Sequence, residues 1–254
     1  MTDPLRRAVV TGGAGGIGQA IVYALARSGH SVVAVGRDAT RLRRLTTAAT
    51  GAGLDVSGRV CDVTDEVQVH KLTQELGPVT VLVNNAGLAE TAPLASTSLA
   101  SWQNHLNTNA TSAFLLTRGL LPGMLERDHG RLVFLASTAA HTGARYTSAY
   151  TAAKHAMLGL ARAVGAEVAG TGVTSNAVCP TFVRSPMTER SVQRIVQRTG
   201  RDAEQAETAL ARASPLGRLV EPEEVAAAVN YLADPQAAAV NGQSLTLDGG
   251  GIQR

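Results

Sequence analysis

VVTGGAGGIG, from Val9 to Gly18, passes from an apolar run through a glycine-rich turn into the start of a helix. Glycines at 12, 16 and 18 permit a tight turn and let the backbone approach a pyrophosphate closely. The helix that opens there, with Ile17 in its first turn, offers unpaired N–H groups and a positive dipole end. The spacing is Thr-Gly-x-x-x-Gly-x-Gly, not Gly-x-Gly-x-x-Gly. Its place between a first strand and a first helix makes it a phosphate-cradling turn and predicts an α/β fold.

The rest of the chain follows suit. Strands are expected at Arg7 to Val10, Ser31 to Val35, Val56 to Val60, Val79 to Val83, Leu132 to Ala136, Val173 to Val178 and Ser244 to Leu247. Helices are expected over Ile17 to Arg27, Asp38 to Thr50, Glu66 to Leu76, roughly Trp102 to Glu126, and Ala152 to Ala169. Short β-rich runs alternating with helices mean βαβ units and a parallel sheet buried on both faces. No linker or repeat divides the 254 residues, so one domain over 1–254 is expected. From Ser185 to Pro215 a polar, Arg-rich helical stretch interrupts the alternation. Such insertions after a strand end are where substrate lids sit.

Composition narrows the function classes. Charged residues make up 17%, below the ~25% of typical soluble domains, which implies a large core and a buried oligomer interface. Aromatics are 3%, so Ala, Val and Leu must fill that core. No run reaches the roughly 18 apolar residues of a membrane span. The opening Met1 to Arg7 leads straight into a strand, with no signal peptide visible. Cys61 and Cys179 fit no metal spacing and read as reduced core thiols of a cytoplasmic protein. A net charge of +3 without a long basic run gives no support for nucleic-acid binding. A mild Arg surplus fits attraction to phosphate-bearing small molecules.

The end of the second strand, V32-V-A-V-G36-R37-D38, bears on the cofactor's ribose. NAD binders commonly place an acid there for the 2′-OH. Here Gly36 takes that position and Arg37 follows, which suits a 2′-phosphate. NADPH is favoured, with NAD possible. Asp38 either turns toward a 2′-OH or caps the next helix. Asp62, followed by Val63, either accepts from an adenine amine or caps its own next helix. In Asn84-Asn85-Ala86-Gly87, after strand four, small residues let a flat ring and ribose lie close.

A second constellation is S137-T-A-A-H-T-G-A-R-Y-T-S-A-Y150-T-A-A-K154. Tyr150 and Lys154 are four apart and share a helix face. A free Tyr titrates near ~10, and a cation beside it favours the phenolate. Ser137 ends an apolar run, where its hydroxyl can hold a carbonyl oxygen.

Taken together, Thr11-Gly12…Gly16-x-Gly18, Asp62, Asn84-Asn85-Ala86-Gly87, Asn109, Ser137, Tyr150, Lys154 and the ending Leu247-Asp248-Gly249-Gly250-Gly251 resemble the short-chain dehydrogenase/reductase family. The resemblance covers nearly the whole chain. It implies a Rossmann-type, doubly wound sheet of about seven strands with helices on both faces. It implies that Tyr150 exchanges a proton with the substrate oxygen and Ser137 binds that oxygen. Lys154 would lower the Tyr150 pKa and hold ribose hydroxyls, and Asn109 would hold a water in a proton relay. Pro180, Val183 and Ser185 would grip the nicotinamide carboxamide, with Thr181 where the family commonly has Gly. Thr11, Gly12, Gly16, Ile17, Gly18, Arg37, Asp62, Val63, Asn85, Ala86 and Gly87, with Tyr150 itself, complete the implied cofactor set. The family usually forms homodimers or homotetramers.

Substrate contacts are expected from Leu88, Ala89 and Glu90, from Ala139, His141, Gly143, Arg145 and Tyr146, and from Thr181 onward. Arg190, Arg194 and Arg198, spaced four apart, either attract an acyl-thioester's phosphates or form a solvated face, with Arg184 nearby. The chain is similar to 3-oxoacyl-thioester reductases and aromatic polyketide ketoreductases, and also to NAD-dependent hydroxybutyrate and secondary-alcohol dehydrogenases. The expected activity is reduction of a ketone or 3-oxoacyl thioester. Its alternatives are an NAD-dependent dehydrogenase working in the opposite direction and a cofactor-binding regulatory protein without turnover.

Overall fold

The computed structural model describes residues 6–253. Met1–Leu5, most of the opening read as lacking a signal peptide, lie outside the described residues. Seven strands form one sheet: β1 (Arg7–Thr11), β2 (Ser31–Gly36), β3 (Val56–Val60), β4 (Val81–Asn84), β5 (Gly130–Leu135), β6 (Val173–Pro180) and β7 (Ser244–Leu247). Their order is β3-β2-β1-β4-β5-β6-β7 and every neighbouring pair is parallel. The helices are α1 (Gly16–Arg27), α2 (Ala39–Gly51), α3 (Glu66–Glu75), α4 (Leu99–Leu106), α5 (Ser112–Glu126), α6 (Ser148–Glu167), α7 (Pro186–Thr199), α8 (Ala203–Ala211) and α9 (Pro222–Ala233).

The central strands β1, β2, β4 and β5 read as nearly continuous apolar runs because both of their faces are buried. Ala8, Val10, Val32, Ala34, Val81 and Val83 pack with residues of α1, α2 and α9. Their neighbours Val9, Val33, Val35 and Leu82 pack with residues of α3, α5 and α6. Each fully buried Val or Leu in these layers contributes about 1.5–3 kcal/mol. Strand order reverses between β1 and β4. The loops leaving their carboxyl ends diverge there and open a crevice, where ligands of such sheets bind.

Three differences from the sequence reading have local causes. The long helix expected from Trp102 to Glu126 is α4 and α5 joined by a π-helical turn at Asn107–Thr111. The Arg-rich stretch is two helices. Gly200, at φ +69°, ends α7 in the left-handed region, and Asp202 starts α8 by accepting from Gln205 N–H at 2.7 Å. Helix α9 is absent from the sequence reading. Its signature is E221-P-E-E224: a capping box with proline in the first turn. Arg218 donates to both Glu224 oxygens, at 2.6 and 2.8 Å, while Glu221 N–H donates at 2.8 Å. Those contacts pull the Glu224 pKa down to about 2.

Candidate active site

The cradle forms where β1 meets α1. Gly15 leads into α1 with no side-chain cap, so the first-turn N–H groups of α1 remain available to an anion. Gly12 turns at φ +63°. A Cβ on Gly18 would overlap the Gly12 carbonyl oxygen and come within 2.7 Å of Asn85 Nδ2. Backbone packs against backbone here, as a close-lying pyrophosphate requires. Thr11 has a structural part. It is buried, and its hydroxyl accepts from the N–H groups of Asn85 and Ala86, both at 2.9 Å. Asn85 Nδ2 in turn donates to Thr11 O at 2.7 Å. The two loops at the sheet's switch point are thereby pinned together. The bare turn and uncapped helix start fit a dinucleotide phosphate.

At the end of β2, a Cβ on Gly36 would meet nothing within 4 Å. Arg37 is exposed and stands 3.9 Å from Asp62 Oδ2. Asp38 caps α2, accepting from Thr40 N–H at 2.9 Å and Arg41 N–H at 3.0 Å, so the capping alternative holds. Asp62 does not cap α3; Asp65 does. Asp62 instead accepts from Thr64 N–H and Oγ1. Its pKa lies below the ordinary value: those bonds and Arg37 outweigh the opposing effect of burial. Val63 is buried in the core beside it.

Ser137 follows β5, and its Oγ accepts from Ala139 N–H at 3.1 Å. Tyr150 and Lys154 stand one turn apart on α6. Lys154 Nζ is buried, donates to Leu135 O at 2.6 Å, and lies 5.8 Å from the Tyr150 ring centre. The expected lowering of the Tyr150 pKa does not appear. Burial pushes the phenol up, a hydrogen bond with Ser137 opposes it, and the Cys179 thiol adds to the rise. Burial brings the Lys154 ammonium down to about 8.

This depressed pKa has a measurable consequence. Between about 8 and 10.5 the unfolded chain holds a proton on Lys154 that the folded chain has released. Wild type should therefore gain stability relative to Lys154→Met as pH rises through that window, by up to about 3 kcal/mol. Chemical denaturation of both proteins across pH 7–11 checks it; a constant difference would mean that Lys154 stays charged.

The π-turn carries Asn109 into the interior. Its Nδ2 donates to His105 O at 2.9 Å and Leu88 O at 3.1 Å, and its Oδ1 accepts from Leu88 N–H at 3.3 Å. A Cβ on Gly87 would lie 2.7 Å from Asn109 Oδ1 and 3.6 Å from Lys154 Nζ. The two polar groups thus border one small space.

These elements surround a cavity of about 880 Å³. It is lined by Ile17, Asn85 and Gly87 on the cradle side and by Ser137, Tyr150 and Lys154 beside them. Pro180, Val183 and Ser185 line it where β6 ends and α7 begins. A Cβ on Gly16 would sit 3.0 Å from Pro186 Cδ, so α7 starts against the cradle. Of the expected substrate contacts, Ala89, Glu90, Ala139, Arg145, Tyr146, Thr181 and Phe182 line the cavity. Leu88, His141 and Gly143 are not in its wall; His141 is buried. Arg194 and Arg198 line the cavity, whereas Arg190 is exposed and does not. Residues eight apart on a helix drift by about 80°, so the three arginines do not share one line. Arg184 is held outside by Glu207 at 2.9 Å and Glu221 at 3.1 Å.

His105 was invisible as a site residue. It is buried, and Glu90 N–H donates to its Nε2 at 3.1 Å. Its Nδ1 lies 2.8 Å from Ser101 O, which fixes the tautomer. Only its spacing of four from Asn109 hinted that both support the same loop. Cys61 and Cys179 are buried free thiols, raised by burial to about 11. Among the described residues no group of His, Cys, Asp and Glu could hold a metal. No helix among them is long and apolar enough to cross a membrane.

Residues 12–251 match a family model described as enoyl-(acyl carrier protein) reductase. A Streptomyces violaceoruber protein named as ketoacyl reductase 1 of the granaticin polyketide synthase is 41% identical over 249 residues, 96% of this chain and 92% of that protein. D-beta-hydroxybutyrate dehydrogenase of Cupriavidus necator is 33% identical over 252 residues, 97% of this chain and 98% of the relative. Among solved structures, an actinorhodin polyketide ketoreductase variant crystallised with NADPH superposes with a TM-score of 0.92 at 37% identity, covering 96% of both chains. The likeness extends over nearly the full length in sequence and in structure, and this chain belongs to the short-chain dehydrogenase/reductase family of oxidoreductases.

Proposed function

We propose that the chain is an NADPH-preferring reductase that converts a ketone, a 3-oxoacyl thioester or a related ketone, into a secondary alcohol. The observation that carries this reading is a shared cavity: Ser137, Tyr150 and Lys154 line the same space as Ile17, Asn85 and Gly87 of the cofactor cradle. When bound, the nicotinamide supplies the hydride. Ser137 holds the carbonyl oxygen and Tyr150 gives it a proton as it becomes an alcohol. The phenol, raised by burial, is protonated at neutral pH, the state that a proton donor requires. Lys154 grips ribose hydroxyls, and Asn109 borders the space for a relay water. Pro180, Val183 and Ser185 receive the carboxamide, and α7 with α8 forms the substrate lid.

Two observations favour NADPH. The space beside Gly36 is open, and Asp38 is committed to its cap. Arg37→Ala should weaken NADPH binding by roughly tenfold or more, the worth of one charge-assisted contact, and leave NADH little changed. Fluorescence titration of both cofactors decides; matched losses would mean that Arg37 does not meet the 2′-phosphate.

The resemblance to a hydroxybutyrate dehydrogenase favours a second reading, oxidation of a hydroxy acid with NAD. Absorbance at the NADPH band with acetoacetyl-CoA, run beside 3-hydroxybutyrate with NAD, separates the two. We further place the enzyme in the cytoplasm as a homo-oligomer. Tyr231 on α9 and Leu245 on the edge strand β7 are exposed apolar groups that association would cover.

A further inference from the structure

We propose that Arg194 determines specificity by receiving an anionic group of the substrate, with Glu90 holding its place beforehand; this rests on the reductase reading. The charged lining of the cavity is one-sided. Arg145, Lys154, Arg194 and Arg198 line it, against one carboxylate, that of Glu90. Lys154 is committed to Leu135 O beside the reacting groups. Arg145 stacks over Tyr146 at 5.4 Å, and Arg198 is exposed. Arg194 is the recessed guanidinium, its side chain 33% exposed. The same cavity wall also carries apolar groups, among them Phe182, Met187 and Ile195.

Arg194 reaches from α7 to the loop after β4, but its contacts there are loose. Nη1 donates to Ala89 O at 3.5 Å, and Nη2 lies 3.9 Å from Glu90 Oε1. A guanidinium has five donors, and a bidentate carboxylate or phosphate would engage two of them at about 2.7–2.9 Å. The backbone that carries Glu90 is held on both sides. His105 Nε2 accepts from Glu90 N–H at 3.1 Å, and Tyr146 O accepts from Ala92 N–H at 2.9 Å. The carboxylate therefore stands off from Arg194 and is replaceable. The ligand this arrangement fits is a ketone on an apolar body that also bears an anion. That anion is the carboxylate of a keto acid or a phosphate of a thioester's carrier arm.

The test compares acetoacetate, acetoacetyl-CoA and the uncharged acetoacetyl N-acetylcysteamine thioester. Dissociation constants are measured by calorimetry with oxidised NADP present, so that no reaction intervenes. Arg194→Gln should weaken an anionic ligand about tenfold more than the uncharged thioester. Arg194→Lys should recover part of that loss, and Glu90→Gln should tighten the same anionic ligand. Opposite signs for the Gln variants with acetoacetate assign a carboxylate site; with acetoacetyl-CoA they assign a phosphate site. A merely structural pair would weaken binding in both variants. That result, or equal losses for charged and uncharged ligands, overturns the proposal. Absence of turnover of all three ligands with NADPH, while the opposite signs persist, would count against the reductase reading and leave the anion site standing.

Discussion

Tyr150→Phe is expected to lower turnover by about 10²–10⁴-fold, the range that a positioned proton donor supplies, and to leave NADPH affinity within about twofold. The change removes one oxygen from a side chain whose ring remains to fill the wall. Lys154 keeps its bond to Leu135 O, because Tyr150 is not its hydrogen-bond partner. The cradle, fixed by Thr11 and Asn85, is likewise untouched. Steady-state rates on a ketone and a fluorescence titration of NADPH report the two quantities separately. Equal losses in both would show that the phenol supports the cofactor and is not the proton donor.

Gly18→Ala is expected to damage both fold and cofactor binding. The added methyl would overlap the Gly12 carbonyl oxygen and approach Asn85 Nδ2 within 2.7 Å. The turn has little room to yield, because that carbonyl already accepts from Gly15 N–H at 3.1 Å. Overpacking of this kind costs about 3 kcal/mol. For a chain of this size the melting temperature should fall by roughly 6–12 °C. NADPH affinity should fall as well, since the displaced turn is the phosphate cradle. An unchanged melting temperature would mean that the two backbone segments do not approach so closely.

Much of this was legible in the sequence, for physical reasons. Central strands buried on both faces write themselves as Val, Ala and Leu runs, as in β1, β2 and β4; the edge strands β3 and β7, mixed and part-exposed, were readable from their place in the strand–helix alternation. The glycines of the cradle announced a close approach of backbone, and the four-residue spacing of Tyr150 and Lys154 put them on one face of α6. Other features depended on tertiary partners. Thr11 looked like a cofactor contact, yet its hydroxyl pins the β4 loop. The proximity of Tyr150 and Lys154 implied an acidified phenol, but burial raises the phenol instead. Spacing fixes proximity, not how far a site is withdrawn from water. Gly200 ends α7 inside a polar stretch whose apolar stripe is narrow, with Val192 buried and Ile195 and Val196 half-buried. Helix α9 was overlooked although its capping residues, Glu221 to Glu224, stand plainly in the sequence.

The π-turn at Asn107–Thr111 also sets a phase. Each residue of a regular helix turns by about 100°, and the widened turn holds one residue more than an α-turn would. Closing it to ordinary α-helix with all its residues kept would rotate everything upstream by about 100° relative to α5. His105 would swing away from the Glu90 amide, and the loop after β4 would lose its footing. Deleting one residue as the turn closes would restore the phase, because a π-turn fits its extra residue into a single turn. The register of α4 against α5 thus depends on turn width and residue count together, and a change to one alone breaks it.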